Sequence, residues 1–288
     1  MTDQHVSSSP VREVEVAIAG AGFGGICMAI QLQKNGINDF LILEKKSEVG
    51  GAWRDNHYPG AACDVQSHMY SYSFETKSNW TKRYAPWNEI QQYILDTVKK
   101  YNLRPHIHFN QEVVSAVFNE GTGKWVIKTV GGETIMARHW VLASGPLHVP
   151  AIPDIKGLKD FKGKVMHSAD WDHSYNLTGK NVASIGTGGS AIQYVPEIAP
   201  KVGKLHVFQR TPAWVIPRDE RSYSAFRKWT FKALPFTRTL HRWRLYWTNE
   251  SRVWPILNPW MARIGEGLLK KFISYQVKDP ALVKKLTP

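Results

Sequence analysis

One short stretch of the sequence has the residue types and spacing that bind a dinucleotide. Gly20, Gly22 and Gly25 form the pattern G-x-G-x-x-G directly after the apolar run Val14–Ala19. In a strand–turn–helix unit the first glycine permits a tight turn, the second lets the backbone approach a pyrophosphate, and the third lets helix and strand pack. Free N–H groups at the start of the following helix then bind the phosphates. The stretch therefore predicts a dinucleotide site.

A carboxylate ends the next predicted strand. The apolar run Phe40–Leu43 leads into Glu44, which lies 24 residues after Gly20. A carboxylate at this position can accept hydrogen bonds from the ribose hydroxyls of a dinucleotide. An ordinary glycine-rich turn between a strand and a helix is the alternative. The strand–turn–helix context and the acidic strand end favour the nucleotide site.

A second unit of the same design follows later in the chain. The predicted strand Val182–Ile185 leads into a turn and a predicted helix that continues to about Ile198. The cofactor-binding candidates of this turn are Gly186, Thr187, Gly188, Gly189 and Ser190. Two such turns in one chain predict two dinucleotides, as in redox enzymes that pass a hydride from one cofactor to another.

The second unit carries a different charge at its strand end. The predicted strand Leu205–Phe208 is followed by Arg210 and Thr211, and Arg210 lies 24 residues after Gly186. An arginine suits a 2′-phosphate, whereas an acid suits free ribose hydroxyls. We therefore assign FAD to the first unit and NADPH to the second. A surface arginine without a ligand is the alternative for Arg210.

Dense motifs lie between the two units. Residues 50–53 read G-G-A-W, residues 58–64 read Y-P-G-A-A-C-D, and residues 67–74 read S-H-M-Y-S-Y-S-F. This tract is too rich in glycine, proline and aromatic residues for a regular helix, and we expect a long ordered loop, a common place for function. Residues 161–172 then read F-x-G-x-x-x-H-x-x-x-W-D. A core histidine packed under a tryptophan is the alternative for the last motif.

Together these motifs resemble those of the Baeyer–Villiger monooxygenases, a family of class B flavoprotein monooxygenases. The resemblance covers nearly the whole chain from about Val14. It implies that Trp53, Asp64 and Tyr70 lie beside the flavin and that the backbone of Val113 holds the flavin's adenine. One departure is the sequence A-W-R-D at residues 52–55, where the family usually has T-W-Y-W.

The resemblance also implies two catalytic residues and a reaction. Asp64 would tune the charge beside the flavin and hold a partner arginine, and His167 would help to position the domains and the nicotinamide. The implied reaction is the NADPH- and FAD-dependent insertion of one oxygen atom of O2 next to a ketone carbonyl, which gives an ester or a lactone. Oxygenation of nitrogen or sulfur is an alternative, and the ending Trp171-Asp172 favours the Baeyer–Villiger reaction.

Family members are nearly twice as long as this chain. They carry an arginine over the flavin in a part that would follow Pro288. The resemblance therefore implies a fragment or a truncated product, and an inert nucleotide-binding protein is a further alternative. We expect an unpaired sheet edge and exposed apolar surface in the 288-residue form.

These elements predict an α/β fold with two Rossmann-like dinucleotide-binding domains, a β-meander and a helical insert. The predicted domains are residues 1–147 for FAD, 148–220 for NADPH, and 221–288 for the helical insert. Residues 1–12 are polar and expected to be disordered. A packing helix is predicted at residues 88–103. The predicted strands between it and the second unit are Val113–Phe118, Lys124–Val130, Thr134–Ala137 and Trp140–Ser144.

Composition restricts the remaining function classes. The formal charge of +13 resides in residues 201–288, which hold 18 Lys and Arg against 5 Asp and Glu. A solvated basic face is the simpler explanation, and peripheral membrane contact by residues 221–260 is the alternative. We expect no nucleic-acid partner, no metal and no transmembrane helix. The presence of only two cysteines argues against a disulfide framework and favours a reducing, cytoplasmic location.

Overall fold

A computed structural model of the chain describes residues 11–147 and 149–288. The described strands are β1 (Val11–Ala19), β2 (Phe40–Leu43), β3 (Ile107–His108), β4 (Val113–Asn119), β5 (Lys124–Thr129), β6 (Thr134–Leu142), β7 (Asn181–Ile185) and β8 (Lys204–Phe208). The described α-helices are α1 (Phe23–Lys34), α2 (Ala52–Asp55), α3 (Trp87–Lys100), α4 (Gly189–Ile198), α5 (Ala225–Ala233), α6 (Pro235–Ser251), α7 (Val253–Leu257), α8 (Pro259–Gln276) and α9 (Pro280–Leu286).

Six strands form one mixed sheet in the order β3–β2–β1–β6–β5–β4. Strand β1 is parallel to both β2 and β6, whereas β5 is antiparallel to β6 and β4. All four residues of β2 are at most 2% exposed, which explains the continuous apolar run of a parallel strand buried on both faces. The α/β class and the β-meander of β4, β5 and β6 confirm the predicted fold.

Strand β6 is one continuous strand, whereas the sequence predicted separate strands before and after Arg138 and His139. Its first half pairs with β5, and its whole length pairs with β1. The two polar residues are exposed and lie within 4 Å of Glu15 on the neighbouring strand. Arg138 therefore forms a cross-strand charge contact with Glu15, His139 lies beside the same carboxylate, and neither residue interrupts the strand.

Other boundaries differ from the prediction by a few residues. Val11 and Arg12 belong to β1, so the predicted disorder is wrong for them, and residues 1–10 lie outside the described part. The sequence predicts the first helix at residues 24–35 with Gly36 at its end; helix α1 spans Phe23–Lys34, and Gly36 follows at a φ of 81°. The predicted loop at residues 50–74 contains the one-turn helix α2.

Contacts divide the chain into two compact units, each of which contains one of the two glycine-rich turns. From here on, the first unit and the second unit mean these two parts of the structure. The first comprises residues up to His57 together with Trp87–Trp171, and it contains the six-stranded sheet. The second comprises Tyr58–Pro86 and Asp172–Pro288, and it contains the parallel pair β7–β8. The domain boundaries predicted from sequence, after residues 147 and 220, stay a prediction.

In the second unit, the segment Tyr58–Pro86 packs against the helices that follow β8. Nη1 of Arg242, on α6, donates to the carbonyl oxygens of His68 at 2.6 Å and Ser71 at 3.2 Å. Lys82 and Ser222 form an isolated antiparallel bridge. These contacts join an early segment of the sequence to the predicted helical insert.

Helix α6 has an apolar face turned to solvent. Phe236, Leu240, Trp243 and Trp247 follow each other at helical spacing and are each 64–66% exposed, whereas Leu245 on the opposite face is 5% exposed. We call these four residues the α6 stripe. Among the described helices, none is long and apolar enough to cross a membrane.

Candidate functional site

The glycine-rich turn of the first unit is shaped by two steric constraints. Gly20 has a φ of 97°, and a Cβ atom at this position would lie 2.7 Å from the carbonyl oxygen of Ala143. A Cβ atom on Gly25 would lie 1.9 Å from the carbonyl oxygen of Gly20. Only glycine fits either position, so β1 and α1 can meet closely, and Gly22 caps the N-terminus of α1 without a side-chain hydrogen bond.

Glu44 lies against this turn. Its Oε2 atom accepts a hydrogen bond of 2.9 Å from the N–H of Ala21, and its Oε1 atom accepts one of 2.9 Å from the N–H of Lys46. The residue is 4% exposed. The predicted ribose-binding carboxylate is thus fixed beside the predicted phosphate-binding turn.

Arg54 completes this cluster, and the sequence did not identify it as a site residue. Its Nη1 atom lies 3.1 Å from Oε1 of Glu44, and its guanidinium forms a two-point contact with Asp55 at 2.8 and 2.9 Å. Burial opposes the charged form, but the hydrogen bond to Asp55 and the negative charges of Asp55 and Glu44 outweigh it and raise the pKa of Arg54. The R-D departure from the family motif therefore places one guanidinium between two carboxylates, those of Glu44 and Asp55.

The other candidates in the first unit have separate places. Trp53 is half-buried in α2 and donates its backbone N–H to the carbonyl oxygen of Gly50 at 3.2 Å. Val113 begins β4 at a register irregularity. His167 accepts a hydrogen bond of 3.1 Å at Nδ1 from the N–H of Ala169, so its ring caps a short 3₁₀ turn and a neutral ring would carry its proton on Nε2.

The glycine-rich turn of the second unit begins, like that of the first, with a glycine at positive φ, and it has more open space around it. Gly186 has a φ of 95° and donates its N–H to the carbonyl oxygen of Phe208 at 2.9 Å. Gly188 caps α4 with a φ of −75°, which any residue can adopt, and a Cβ atom there would meet nothing within 4 Å. Neither the backbone conformation nor the packing of the protein requires glycine at this position. The space that a side chain would fill is open, and it lies at the N-terminus of α4, where a phosphate can approach the backbone N–H groups.

The charged residue after the second strand lies opposite the first glycine of the turn in the first unit, but one residue further along in the second unit. In the first unit Gly20 lies opposite Glu44, because the register pairs the residues just before them. In the second unit Gly186 lies opposite Gln209, and Arg210 follows one residue later. Arg210 is exposed, and within the described residues it has no ion-pair partner. Its guanidinium is therefore available to an anionic ligand.

Asp64 lies beside the start of α4. Its Oδ1 atom accepts a hydrogen bond of 2.9 Å from Nε2 of Gln193, and a Cβ atom on Gly189 would lie 3.7 Å from its Oδ2 atom. Tyr58 is hydrogen-bonded to Ser190 and to Gln193; burial and the charge of Asp64 raise the pKa of this phenol, against the effect of Ser190. The structure thus brings Asp64 together with the second glycine-rich turn.

Two further candidates of the second unit, Thr211 and Tyr70, form local hydrogen bonds. The carbonyl oxygen of Thr211 accepts a hydrogen bond of 3.2 Å from the side chain of Gln209. Tyr70 is half-buried in a turn in which its N–H donates to the carbonyl oxygen of Gln66 at 2.9 Å. Among the described residues, no group of three or more His, Cys, Asp or Glu residues could hold a metal ion.

Comparisons with known proteins agree with this geometry. A family model described as pyridine nucleotide-disulphide oxidoreductase matches residues 17–235. A Baeyer–Villiger monooxygenase of Streptomyces coelicolor is 46% identical over 96% of this chain and 53% of its own length. One of Pseudomonas aeruginosa is 44% identical over the same shares. The chain therefore spans about half the length of these relatives.

Solved structures show the same similarity. An oxidised steroid monooxygenase bound to NADP superposes with a TM-score of 0.83 at 31% identity, over 96% of this chain and 60% of that one. Cyclohexanone monooxygenase from Rhodococcus sp. Phi1 bound to NADP⁺ superposes with a TM-score of 0.83 at 27% identity, over 97% and 60%. A further structure in this group is a complex with FAD and NADP.

Proposed function

The chain belongs to the Baeyer–Villiger monooxygenases, flavin-dependent enzymes within the pyridine nucleotide-disulphide oxidoreductase family, and from this we propose that it binds FAD and NADPH. In the proposed reaction one oxygen atom of O2 is inserted next to a ketone carbonyl to give an ester or a lactone. The observation that carries the proposal is the pair of glycine-rich turns with opposite charges at the following strand ends, Glu44 in one unit and Arg210 in the other.

In the first unit, the proposed FAD site has groups of the required chemistry. The N-terminus of α1 behind Gly22 would bind the pyrophosphate through its backbone N–H groups. Glu44 would accept hydrogen bonds from the ribose, while Arg54, which is shared with Asp55, holds that carboxylate in place. Trp53 and Val113 are proposed contacts to the flavin and its adenine. All of these residues would hold or orient the cofactor, and none of them would form or break a covalent bond.

In the second unit, the proposed NADPH site uses the start of α4. Gly188 and Ser190 would receive the pyrophosphate, and Arg210 would bind the 2′-phosphate through charge-assisted hydrogen bonds. Thr211 is a further proposed contact. For Asp64 and Tyr70 we propose the places that the resemblance implies, beside the flavin, with Asp64 also holding a partner arginine.

When bound and reduced, the flavin supplies the redox and oxygen chemistry, and the protein supplies orientation and electrostatics. His167, fixed by the N–H of Ala169, would present an Nε2 proton donor to the nicotinamide or to the neighbouring domain. We propose a positioning role for it, since its ring is fixed by the backbone of a turn.

Ketones are the proposed substrates. Neighbouring structures of cyclohexanone monooxygenase hold cyclohexanone and ε-caprolactone, a ketone and the lactone that corresponds to it.

The described thiols of Cys27 and Cys63 are free, and burial raises the pKa of Cys63 to about 11, so this thiol stays protonated. A reducing compartment such as the cytoplasm is the proposed location.

The first test is an absorbance spectrum of the purified chain after addition of FAD and desalting, recorded before and after NADPH without oxygen. The expected result is a retained flavin band that NADPH bleaches faster than NADH does. A chain that retains no flavin, or a band that NADPH leaves unchanged, would contradict the proposal for this chain.

Product analysis in air then separates the reaction types. Cyclohexanone, an amine and a thioether are supplied in turn with NADPH, and the products are measured by gas chromatography. A lactone from the ketone supports the proposed reaction, whereas an N-oxide or sulfoxide alone would replace it with heteroatom oxygenation.

A further inference from the structure

Gln193, one turn into α4, has a side chain whose hydrogen-bonding capacity is fully used. Its Nε2 atom donates to the carbonyl oxygen of Ala62 at 3.0 Å and to Oδ1 of Asp64 at 2.9 Å. Its Oε1 atom accepts from the hydroxyl of Tyr58 at 3.0 Å and from the N–H of Ala62 at 3.1 Å. A primary amide offers two donors and two acceptor lone pairs, so all four are engaged. The residue is 8% exposed.

The arrangement requires an amide. A glutamate at this position has no donor, so its carboxylate would lie against the carboxylate of Asp64 and against a carbonyl oxygen. An apolar residue of the same length would leave both polar groups of the Ala62 backbone without their partner, and such groups are costly when removed from water. The contact therefore depends on the chemistry of the side chain as well as on its size.

The segment that carries Asp64 also lies directly on the backbone of α4. Gly60 has a φ of 76°, and a Cβ atom there would lie 2.7 Å from the carbonyl oxygen of Gln193 and 2.8 Å from Cγ of Glu197. The ring of Tyr58 meets the ring of Tyr194 edge-on at 6.2 Å. Glycine at position 60 is thus required for the close contact, and residues 58–64 follow the first two turns of the helix.

From these contacts we propose that Gln193 is a positioning residue, which couples nucleotide binding at the start of α4 to the orientation of Asp64. The inference rests on the proposed function, in which phosphates bind at Gly188 and Ser190. A shift of the first turn of α4 on binding would be transmitted through the amide of Gln193 to Asp64 and to the backbone of Ala62. Neither the glycine pattern nor the family motif includes this residue.

The test is hydrogen exchange of residues 60–64 in the whole chain, first without nucleotide. Gln193→Met and Gln193→Glu are compared with the control Gln66→Met, which removes a buried amide that bonds to Asn249 on α6. Both Gln193 variants should exchange this segment about fivefold to tenfold faster, as expected for the loss of a hydrogen bond. The glutamate variant keeps the acceptors for Tyr58 and Ala62, which favours correct folding.

The same measurement with NADP⁺ tests the coupling. NADP⁺ should slow exchange at residues 60–64 in the unchanged chain and in Gln66→Met, but not in the Gln193 variants, while FAD retention stays equal in all of them. Unchanged exchange without nucleotide, or protection by NADP⁺ that persists in the Gln193 variants, would overturn the inference. If the unchanged chain binds no NADP⁺, the proposed function and the coupling both fail for it, whereas the comparison without nucleotide still decides whether Gln193 positions Asp64.

Discussion

At the scale of single residues, the charge at the strand end of the second unit is exposed and unpaired among the described residues. Arg210→Ala should weaken NADPH binding about tenfold or more, the scale of a lost charge-assisted hydrogen bond of roughly 1.5–3 kcal/mol, and should leave NADH binding nearly unchanged. Titration of both nucleotides, followed by protein fluorescence, measures the ratio.

The matched control for Arg210 is Lys204→Ala. Lys204 begins the same strand, β8, at the end away from the turn, and its loss removes the same charge. An equal loss of NADPH and NADH affinity in the Arg210 variant, or the same loss in the control, would argue against recognition of the 2′-phosphate.

Two adjacent glycines of α1 have opposite tolerance to a methyl group. Gly25→Ala would place Cβ 1.9 Å from a carbonyl oxygen, whereas Gly24→Ala would place it 3.6 Å from Cβ of Ala143, an ordinary contact. We expect Gly25→Ala to abolish flavin retention and Gly24→Ala to keep it, with a gain of up to about 1 kcal/mol in stability from helix propensity. Desalting followed by absorbance measures retention, and thermal unfolding measures stability.

At the scale of elements, a pair of histidines joins the segment 58–86 to helices α5 and α6. The ring of His68 is 2% exposed, and its centroid lies 5.1 Å from that of His241 and 4.7 Å from that of Phe231. Burial, with the charges of His241 and nearby arginines, lowers the pKa of His68 to about 3, and burial, with the charge of Arg227 and others, lowers the pKa of His241 to about 4. Both rings are therefore neutral in the folded protein at neutral pH.

This pair predicts the direction of the pH dependence of stability. In the unfolded chain both histidines take up protons near pH 6.5, so the folded state binds fewer protons between that pH and about 4. The free energy of unfolding should be highest above pH 6.5 and, once both unfolded histidines are protonated, fall by about 2–3 kcal/mol per pH unit on acidification, since each proton difference contributes about 1.4 kcal/mol. Urea unfolding at pH 7, 6, 5 and 4.5 measures it.

Replacing one histidine tests the assignment. His241→Phe keeps an aromatic ring beside His68 but does not titrate, so the slope of stability against pH should become shallower. Lys232→Ala, an exposed change on α5, should keep the original slope. A slope that is the same in His241→Phe would show that other groups cause the acid sensitivity.

The strands and helices beside the two glycine-rich turns were predictable, because turn residues and apolar runs can be recognised from neighbouring residues in the sequence. Strand β2 has the predicted bounds, and α4 ends at the predicted Ile198. Gln193 was not predictable as a site residue because its partners are distant in the sequence, and Arg54 was missed because the one-turn helix α2 that carries it was predicted as loop. Gln193 bonds to a segment about 130 residues earlier, and no spacing rule covers that distance.

At the scale of the whole molecule, the α6 stripe leaves large apolar side chains in water. Contiguous apolar surface of this kind promotes association. Leu240→Glu combined with Trp243→Glu should reduce the fluorescence of a bound hydrophobic dye several-fold and lower light scattering, with little loss of stability because both side chains are more than 60% exposed.

The control for the stripe adds the same charge beside it. Thr239→Glu combined with Ser251→Glu changes two exposed residues of α6 outside the four apolar positions. Dye binding should stay near that of the unchanged chain in this control. Equal dye binding in all three proteins would show that the dye reports another surface.

The second unit is built from two segments that are far apart in the sequence, and this determines when it can fold during synthesis. Its segment Tyr58–Pro86 is made early, but α4, which begins at Gly189, emerges from the ribosome about 100 residues after Pro86. At translation rates of roughly 5–20 residues per second, the segment waits ~5–20 s for the helix against which it packs. During that interval the ring of Tyr58 lacks its contact with Tyr194, and its hydroxyl lacks Gln193, so nascent chains of this length are expected clients of ribosome-associated chaperones.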